Sequence, residues 1–74
     1  MNYPKITLQA ARVNVGLNQE ESANELEISK ATLQNYESGV TTPTWGMVKK
    51  MEKLYGIPAD FLFFGEELRL KRNK

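Results

Sequence analysis

The chain has 74 residues and a formal net charge of +1, and it contains neither cysteine nor histidine. Disulfides and thiolate metal sites are therefore excluded, and the usual acid/base and metal-ligand residue of neutral pH is missing. No apolar run is long enough to span a bilayer, and no export signal opens the chain. We therefore expect a single cytoplasmic domain without a cofactor, metal or small-molecule ligand.

Apolar residues recur at helical spacing and predict an all-α fold of five short helices. The predicted helices cover residues 5–15, 19–26, 29–38, 45–55 and 58–64. Asn18, with Glu21 three residues later, has the pattern of a capping box. Ser29 and Thr44 are suited to cap the third and fourth helices, and Gly39 is suited to end the third.

The fourth predicted helix is amphipathic on a wheel of about 100° per residue. Its apolar side carries Trp45, Val48, Met51 and Tyr55. Its opposite side carries three lysines, namely Lys49, Lys50 and Lys53. We interpret it as a core helix whose lysines form a solvated face.

The third predicted helix has little to bury, because only Leu33 and Tyr36 are large and apolar. The rest of its circumference is an arc of small or polar residues without an acid: Lys30, Ala31, Gln34, Asn35 and Ser38. In the DNA major groove, Gln or Asn bonds adenine, Lys donates to guanine, and a methyl group touches thymine. An ordinary solvated face has a similar composition, so the arc alone does not establish a reading helix.

Glu37 lies at the edge of the buried side of the third helix, close to its C-terminus. The helix macrodipole disfavours an anion there, so this carboxylate needs a cationic partner. The first three helices offer few cations, and Arg12 is the candidate that the wheel favours.

The segments 19–26 and 29–38, joined by a short turn at 27–28, have the layout of a helix-turn-helix. The chain resembles the lambda-repressor-like helix-turn-helix family, that is, the Xre and phage Cro/CI-type repressors. The resemblance covers about residues 6–65. It is carried by Arg12, "GLNQEE", Ala23, "ISKATL", "YESG" with Glu37, Pro43 and "LYGIPADFL".

The resemblance implies a sequence-specific DNA-binding domain over residues 1–65, with helix 29–38 in the major groove of double-stranded DNA. The residues expected to read bases are Lys30, Ala31, Gln34 and Asn35. The residues expected near phosphates are Asn18, Gln19, Ser29, Ser38, Thr41, Thr42 and Thr44. Arg12 and Glu37 correspond to a buried structural ion pair behind the recognition helix.

Three positions depart from the family pattern. Glu27 occupies a turn position that is usually glycine. A left-handed conformation strains other residues by about 1 kcal/mol, so we expect a slightly different turn or some strain. Ser22 replaces an apolar residue and Glu52 replaces alanine, so we expect a thin core. The acids Glu20, Glu21, Glu25 and Glu27 of the second helix and its turn weaken the general attraction to DNA.

The run "FLFF" at residues 61–64 is too apolar for one small helix to bury completely. We expect Phe61 and Leu62 to face inward and Phe63 or Phe64 to form a dimer interface. Alternatively, both last rings fold back over the core. The charged tail 66–74 extends a helix, adds phosphate contacts or is disordered, and the sequence leaves these alternatives open.

The resulting functional hypothesis is a transcriptional regulator: a small repressor that binds a palindromic operator as a homodimer. The alternative is a protein-interaction module on the same fold, of antitoxin or antirepressor type, acting through Phe63 and Phe64. An enzyme is not expected, because the sequence has no nucleophile–base pair, paired catalytic carboxylates or phosphate-binding glycine loop.

Overall fold

The computed structural model describes residues 6–63, with Phe63 described by its backbone only. In chain order its elements are β1 (Ile6–Thr7), α1 (Leu8–Asn14), α2 (Gln19–Leu26), α3 (Lys30–Ser38), α4 (Trp45–Tyr55), one 3-10 turn (Ala59–Phe61) and β2 (Leu62–Phe63). Four of the five predicted helices are therefore present as α-helices within this part of the chain. Phe64 and the tail 66–74 lie outside it.

Side-chain caps fix the start of each α-helix. Asn18 Oδ1 accepts from the Glu21 backbone at 2.7 Å, and Glu21 Oε1 accepts in return from the Asn18 backbone at 2.9 Å. This is the predicted capping box. Ser29 and Thr44 also cap their helices as predicted. The first helix begins later than predicted, because Ile6–Thr7 is extended and the Thr7 hydroxyl accepts from Ala10.

The prediction of a fifth α-helix was wrong. Residues 59–61 form a single 3-10 turn, and Leu62–Phe63 then pairs in parallel with Ile6–Thr7, in the register Ile6↔Leu62. A short apolar aromatic run suits a strand as well as a helix, and here pairing with β1 decides between them. Glu52 contributes by accepting a hydrogen bond from the Ala59 backbone at 2.5 Å.

The strand also changes which residues of "FLFF" face inward. Leu62 is 1% exposed and belongs to the core, as predicted, whereas Phe61 is 36% exposed. The prediction that both face inward was therefore wrong for Phe61, which ends the exposed 3-10 turn, whereas Leu62 begins the strand that packs on the core. The side chains of Phe63 and Phe64, predicted to form a dimer interface, lie outside the described residues.

One core joins all four helices and β2. Its buried members are Leu8, Ala11, Ala23, Leu26, Leu33, Met51, Tyr55 and Leu62. Trp45 is not among them: it is 67% exposed, with Lys49 Nζ 5.5 Å from its ring centroid. The prediction that Trp45 belongs to the core side of this helix was therefore wrong, although Met47 in the same first turn packs against the core.

The polar side chain of Ser22 is accommodated in this core by a hydrogen bond. It is fully buried, and its Oγ lies 2.6 Å from the hydroxyl of Tyr55. This hydrogen bond joins α2 to α4 and satisfies both hydroxyl groups. Burial raises the pKa of Tyr55 above its ordinary value. The thin core expected from Ser22 thus contains one specific polar contact.

Candidate nucleic-acid interface

The two helices of the helix-turn-helix are α2 and α3, and the turn between them is strained. Glu27 has φ 63° and ψ 40°, a left-handed conformation that non-glycine residues rarely adopt. Its backbone still closes the end of α2, and the next amide, of Ile28, donates to Ala23 at 3.0 Å. The Glu27 side chain is exposed and pairs with Lys50 across a distance of 3.3 Å. The turn keeps the geometry that glycine would give it, with the strain expected from the sequence.

A buried ion pair holds α3 against α1. Arg12 Nε lies 2.7 Å from Glu37 Oε2, and the two side chains are 9% and 5% exposed. A second guanidinium nitrogen donates to the Leu17 carbonyl at 2.8 Å. Because Leu17 precedes α2, Arg12 connects α1, the approach to α2 and the C-terminal end of α3. α3 is therefore fixed against the rest of the domain by charge as well as by apolar packing.

Gln19, the first residue of α2, extends this network toward the outer face. Its Nε2 donates to Glu37 Oε1 at 3.0 Å, and its Oε1 accepts from Gln34 Nε2 at 3.2 Å. A continuous hydrogen-bonded chain thus runs from Arg12 through Glu37 and Gln19 to Gln34.

The outer face of α3 is exposed. Lys30, Ala31, Gln34 and Asn35 are all exposed, while Leu33 on the opposite side is fully buried. Ser38, at the end of the helix, is exposed and donates to the Asn35 carbonyl at 3.3 Å. The structure therefore brings the four predicted base-reading residues together on one accessible side of one helix.

The residues predicted to lie near phosphates occupy helix starts and one loop. Asn18, Ser29 and Thr44 are exposed caps of α2, α3 and α4, so their oxygens already accept backbone hydrogen bonds. Thr41 and Thr42 are exposed in the loop between α3 and α4. Backbone N–H groups at helix starts bind anions well, so three such starts suit a phosphate chain.

A polar cleft of about 500 Å³ lies where α1 meets the starts of α2 and α3. It is lined by Gln9, Arg12, Asn18, Gln19, Glu20 and Lys30. The cleft extends from Arg12 of the buried ion pair to Lys30, the first residue of α3.

The acids of the described residues are concentrated in α2 and its turn. Glu20, Glu21, Glu25 and Glu27 lie there with no basic residue in positions 19–28, whereas the whole chain carries a net charge of +1. Within residues 6–63, no group of three or more acidic side chains converges as a metal site would. In that same range no helix is long and apolar enough to cross a membrane.

Comparison with known proteins identifies the family. A family model described as helix-turn-helix matches residues 8–62, which is most of the chain. The chain belongs to the Xre/Cro/CI-type helix-turn-helix family. The match runs from the start of α1 to β2 and so includes the ion pair, the Gln19 contacts and the outer face of α3. The family consists of DNA-binding regulators that are not enzymes.

Several members of this family are similar to the chain over part of their length. The cryptic phage CTXphi transcriptional repressor RstR of Vibrio cholerae is 45% identical over 47 residues, or 64% of this chain and 42% of the relative. The HTH-type transcriptional regulator ImmR of Bacillus subtilis is 33% identical over 64 residues, or 86% and 50%. The HTH-type transcriptional activator BcrR of Enterococcus faecalis is 34% identical over 61 residues, or 82% and 30%. The chain spans half or less of the length of these curated relatives, and no solved structure matches it.

Sequence reasoning missed the contact between Gln19 and Gln34. Gln19 was predicted to touch phosphate and Gln34 to touch bases, with no link between them. The two residues are 15 positions apart on different helices, so no local pattern connects them. The available signal was indirect: Gln19 opens the second helix of a tight helix pair, where its long side chain reaches the third helix.

Proposed function

We propose that the protein is a sequence-specific transcriptional regulator, a small repressor that binds a palindromic operator as a homodimer with α3 in the major groove. The observation that carries the proposal is the exposed polar face of α3, fixed from behind by the Arg12–Glu37 pair within a family of DNA-binding regulators. Repression is favoured because RstR, one of the similar proteins, is named a repressor.

In this proposal each of the four residues of the outer face of α3 contacts a particular kind of base. Gln34 and Asn35 bond adenine edges, Lys30 donates to guanine, and the Ala31 methyl contacts a thymine methyl. The face has no acid and no bulky side chain, so the helix enters the groove without a clash or charge repulsion. Arg12 and Glu37 act as a structural pair and do not contact bases.

The phosphate contacts hold the protein in register on the duplex and read no sequence. We assign them to Asn18, Gln19, Ser29, Ser38, Thr41, Thr42 and Thr44. Because several of these side chains cap helices, the adjacent backbone N–H groups supply part of the contact. All of these contacts are uncharged, so they contribute little to the salt dependence of binding.

A homodimer would place two copies of α3 in successive major grooves, about 34 Å apart. We propose that Phe63 and Phe64 form its interface. Doubling the number of base contacts matters here because the net charge of each chain is only +1 and α2 is acidic, so a protomer gains little from general attraction to DNA.

The test is selection from a random duplex library at about 0.15 M salt, close to physiological ionic strength. Wild type is compared with Gln34→Ala/Asn35→Ala and with the matched control Gln9→Ala/Asn14→Ala, which removes the same side-chain types from exposed positions of α1. We expect wild type and control to enrich the same inverted repeat and the α3 variant to lose or alter it. No enrichment by wild type would overturn the proposal.

A second candidate is a protein-interaction module of antitoxin or antirepressor type. The observation that favours it is the cluster of four acids in α2 and its turn, Glu20, Glu21, Glu25 and Glu27, which is unusual next to a surface that binds a polyanion. In that case replacement of Phe63 and Phe64 by alanine would abolish partner binding, measured by titration calorimetry. The Gln34→Ala/Asn35→Ala variant would bind the partner normally.

A further inference from the structure

A second groove lies between the end of α2 and the middle of α4. Its volume is about 370 Å³, and its lining residues are Glu25, Leu26, Glu27, Lys50, Lys53 and Leu54. The two acids lie at the end of α2 and in its turn, the two lysines lie on α4, and each helix contributes one leucine. The groove therefore has one acidic wall, one basic wall and some apolar surface.

The two walls are held in fixed relative positions. The buried hydrogen bond between Ser22 and Tyr55 joins α2 to α4, and Lys50 Nζ lies 3.3 Å from Glu27 Oε1 on the opposite wall. Glu25 and Lys53 are both exposed. Within residues 6–63 neither of them forms an ion pair. Each wall therefore offers one charge to a partner, and the groove needs little ordering to bind one.

The charge pattern decides which kind of partner fits the groove. A nucleic acid is a polyanion, so the acidic wall would repel it where the basic wall attracted it. A fitting partner carries a cation opposite Glu25 and an anion opposite Lys53. The same groove of a second copy has this pattern, because a two-fold axis that runs along the groove brings Glu25 of each copy opposite Lys53 of the other.

We propose that this groove is a self-association surface, at which two copies of the chain meet through two reciprocal Glu25–Lys53 ion pairs. The contact is distinct from the interface proposed at Phe63 and Phe64, and it does not rest on DNA binding by α3. Glu25 and Lys53 lie about 9 Å and 12 Å along their helices from the first residues. A duplex held at the helix starts would therefore leave the groove uncovered.

The size of the groove makes the contact weak. Six residues line it on each copy, whereas a stable interface uses about 20–30 residues a side. Exposed ion pairs add little and are screened by salt. We therefore expect a dissociation constant on the order of 1 mM in solution. Such a contact becomes significant where copies are held close together, because tethering raises their effective concentration to about the millimolar range.

The first experiment uses the whole chain without DNA. Backbone amide shifts are recorded by NMR from about 0.05 to 2 mM, a range that includes the expected dissociation constant. In wild type we expect the amides of Glu25, Lys53 and Leu54 to shift with concentration. Glu25→Lys and Lys53→Glu each place like charges opposite one another at two contacts and should weaken association about tenfold. Glu20→Lys, the matched control, makes the same charge change on α2 outside the groove and should keep the concentration dependence.

The decisive experiment mixes the two charge-reversed variants. In an equimolar mixture of Glu25→Lys and Lys53→Glu, both facing pairs again have opposite charges, so the groove amides should shift although each variant alone shifts little. The double variant Glu25→Lys/Lys53→Glu should associate like wild type for the same reason. A mixture of Glu20→Lys and Lys53→Glu has the same net charges but matches only one of the two pairs, so it should shift less.

Two results would overturn the inference. Groove amides of wild type that do not shift with concentration would mean that no second copy binds there. If those amides instead shift when residues 66–74 are deleted, the tail of the same chain occupies the groove. Failure of the mixture to recover the association lost in the single variants would exclude the reciprocal pairing. Neither result affects the proposed function, which fails if wild type selects no duplex.

Discussion

The buried hydrogen bond between Ser22 and Tyr55 predicts a strong coupling between two positions 33 residues apart. Ser22→Ala leaves the Tyr55 hydroxyl without a partner in a site where both residues are at most 2% exposed. Leaving a buried polar group unsatisfied destabilises by about 1–3 kcal/mol. Tyr55→Phe strands the Ser22 hydroxyl and should have a similar effect. In a domain of this size, each 1 kcal/mol lowers the melting temperature by about 4–8 °C.

The double variant Ser22→Ala/Tyr55→Phe should lose much less stability than the sum of the losses in the two single variants. The double variant leaves no unsatisfied hydroxyl, so we expect a coupling free energy on the order of 1 kcal/mol or more. Urea unfolding of wild type, both single variants and the double variant, followed by far-UV circular dichroism, measures it. Tyr36→Phe is the control, because Tyr36 is half-buried and should change stability by less than about 0.5 kcal/mol. Additive effects of Ser22→Ala and Tyr55→Phe would refute the reasoning.

Three further predictions follow from single groups. Burial raises the pKa of Tyr55, so the contribution of this group to the free energy of unfolding is complete below the ordinary pKa of about 10 and is lost as pH rises through the folded-state pKa. The free energy of unfolding should therefore fall more steeply with rising alkaline pH in wild type than in Tyr55→Phe. Glu27→Gly should unfold with a free energy about 1 kcal/mol above that of Glu27→Ala in urea titrations, since both lack the Lys50 pair and only alanine keeps the left-handed strain. Glu37→Gln should lower the free energy of unfolding by about 3 kcal/mol, measured in the same way, because it leaves Arg12 buried without a counter-charge.

Each of these predictions has a clear contrary result. If the free energy of unfolding depends on alkaline pH in the same way in wild type and in Tyr55→Phe, burial does not raise the pKa of Tyr55. Equal stability of the glycine and alanine variants at position 27 would mean that the turn is not strained. A change below about 1 kcal/mol in Glu37→Gln would mean that solvent reaches the pair and compensates the arginine.

The parts of the fold that local chemistry controls were predictable from the sequence. The capping box at Asn18 and Glu21 and the caps at Ser29 and Thr44 depend on residues within one helical turn, and the structure contains all of them. Of the two outcomes that the family resemblance implied for Glu27, a different turn or strain, the left-handed backbone at this position corresponds to strain.

The errors arose where a distant partner decided the outcome. The run at 61–64 has no helical or strand periodicity of its own, and pairing with Ile6–Thr7 made Leu62–Phe63 extended. Trp45 lies on the apolar side of its helix, yet its exposure depends on how far the other helices extend along α4. The Gln19–Gln34 contact likewise joins two helices. Tertiary pairing of this kind leaves no signature in a short window of sequence.

The charge distribution bears directly on how the proposed regulator would find its site. Four acids, Glu20, Glu21, Glu25 and Glu27, lie in α2 and its turn, where they oppose a general attraction to phosphates. Non-specific affinity rises with the number of phosphates neutralised, so background binding stays low unless Lys5 and the basic residues of the tail engage the backbone. Discrimination is the difference between the specific and the non-specific binding free energies, and a general repulsion that weakens both equally cancels from it. Under the proposed function, the acids of α2 would therefore lower the total affinity of this small domain and leave its specificity to the base contacts of α3.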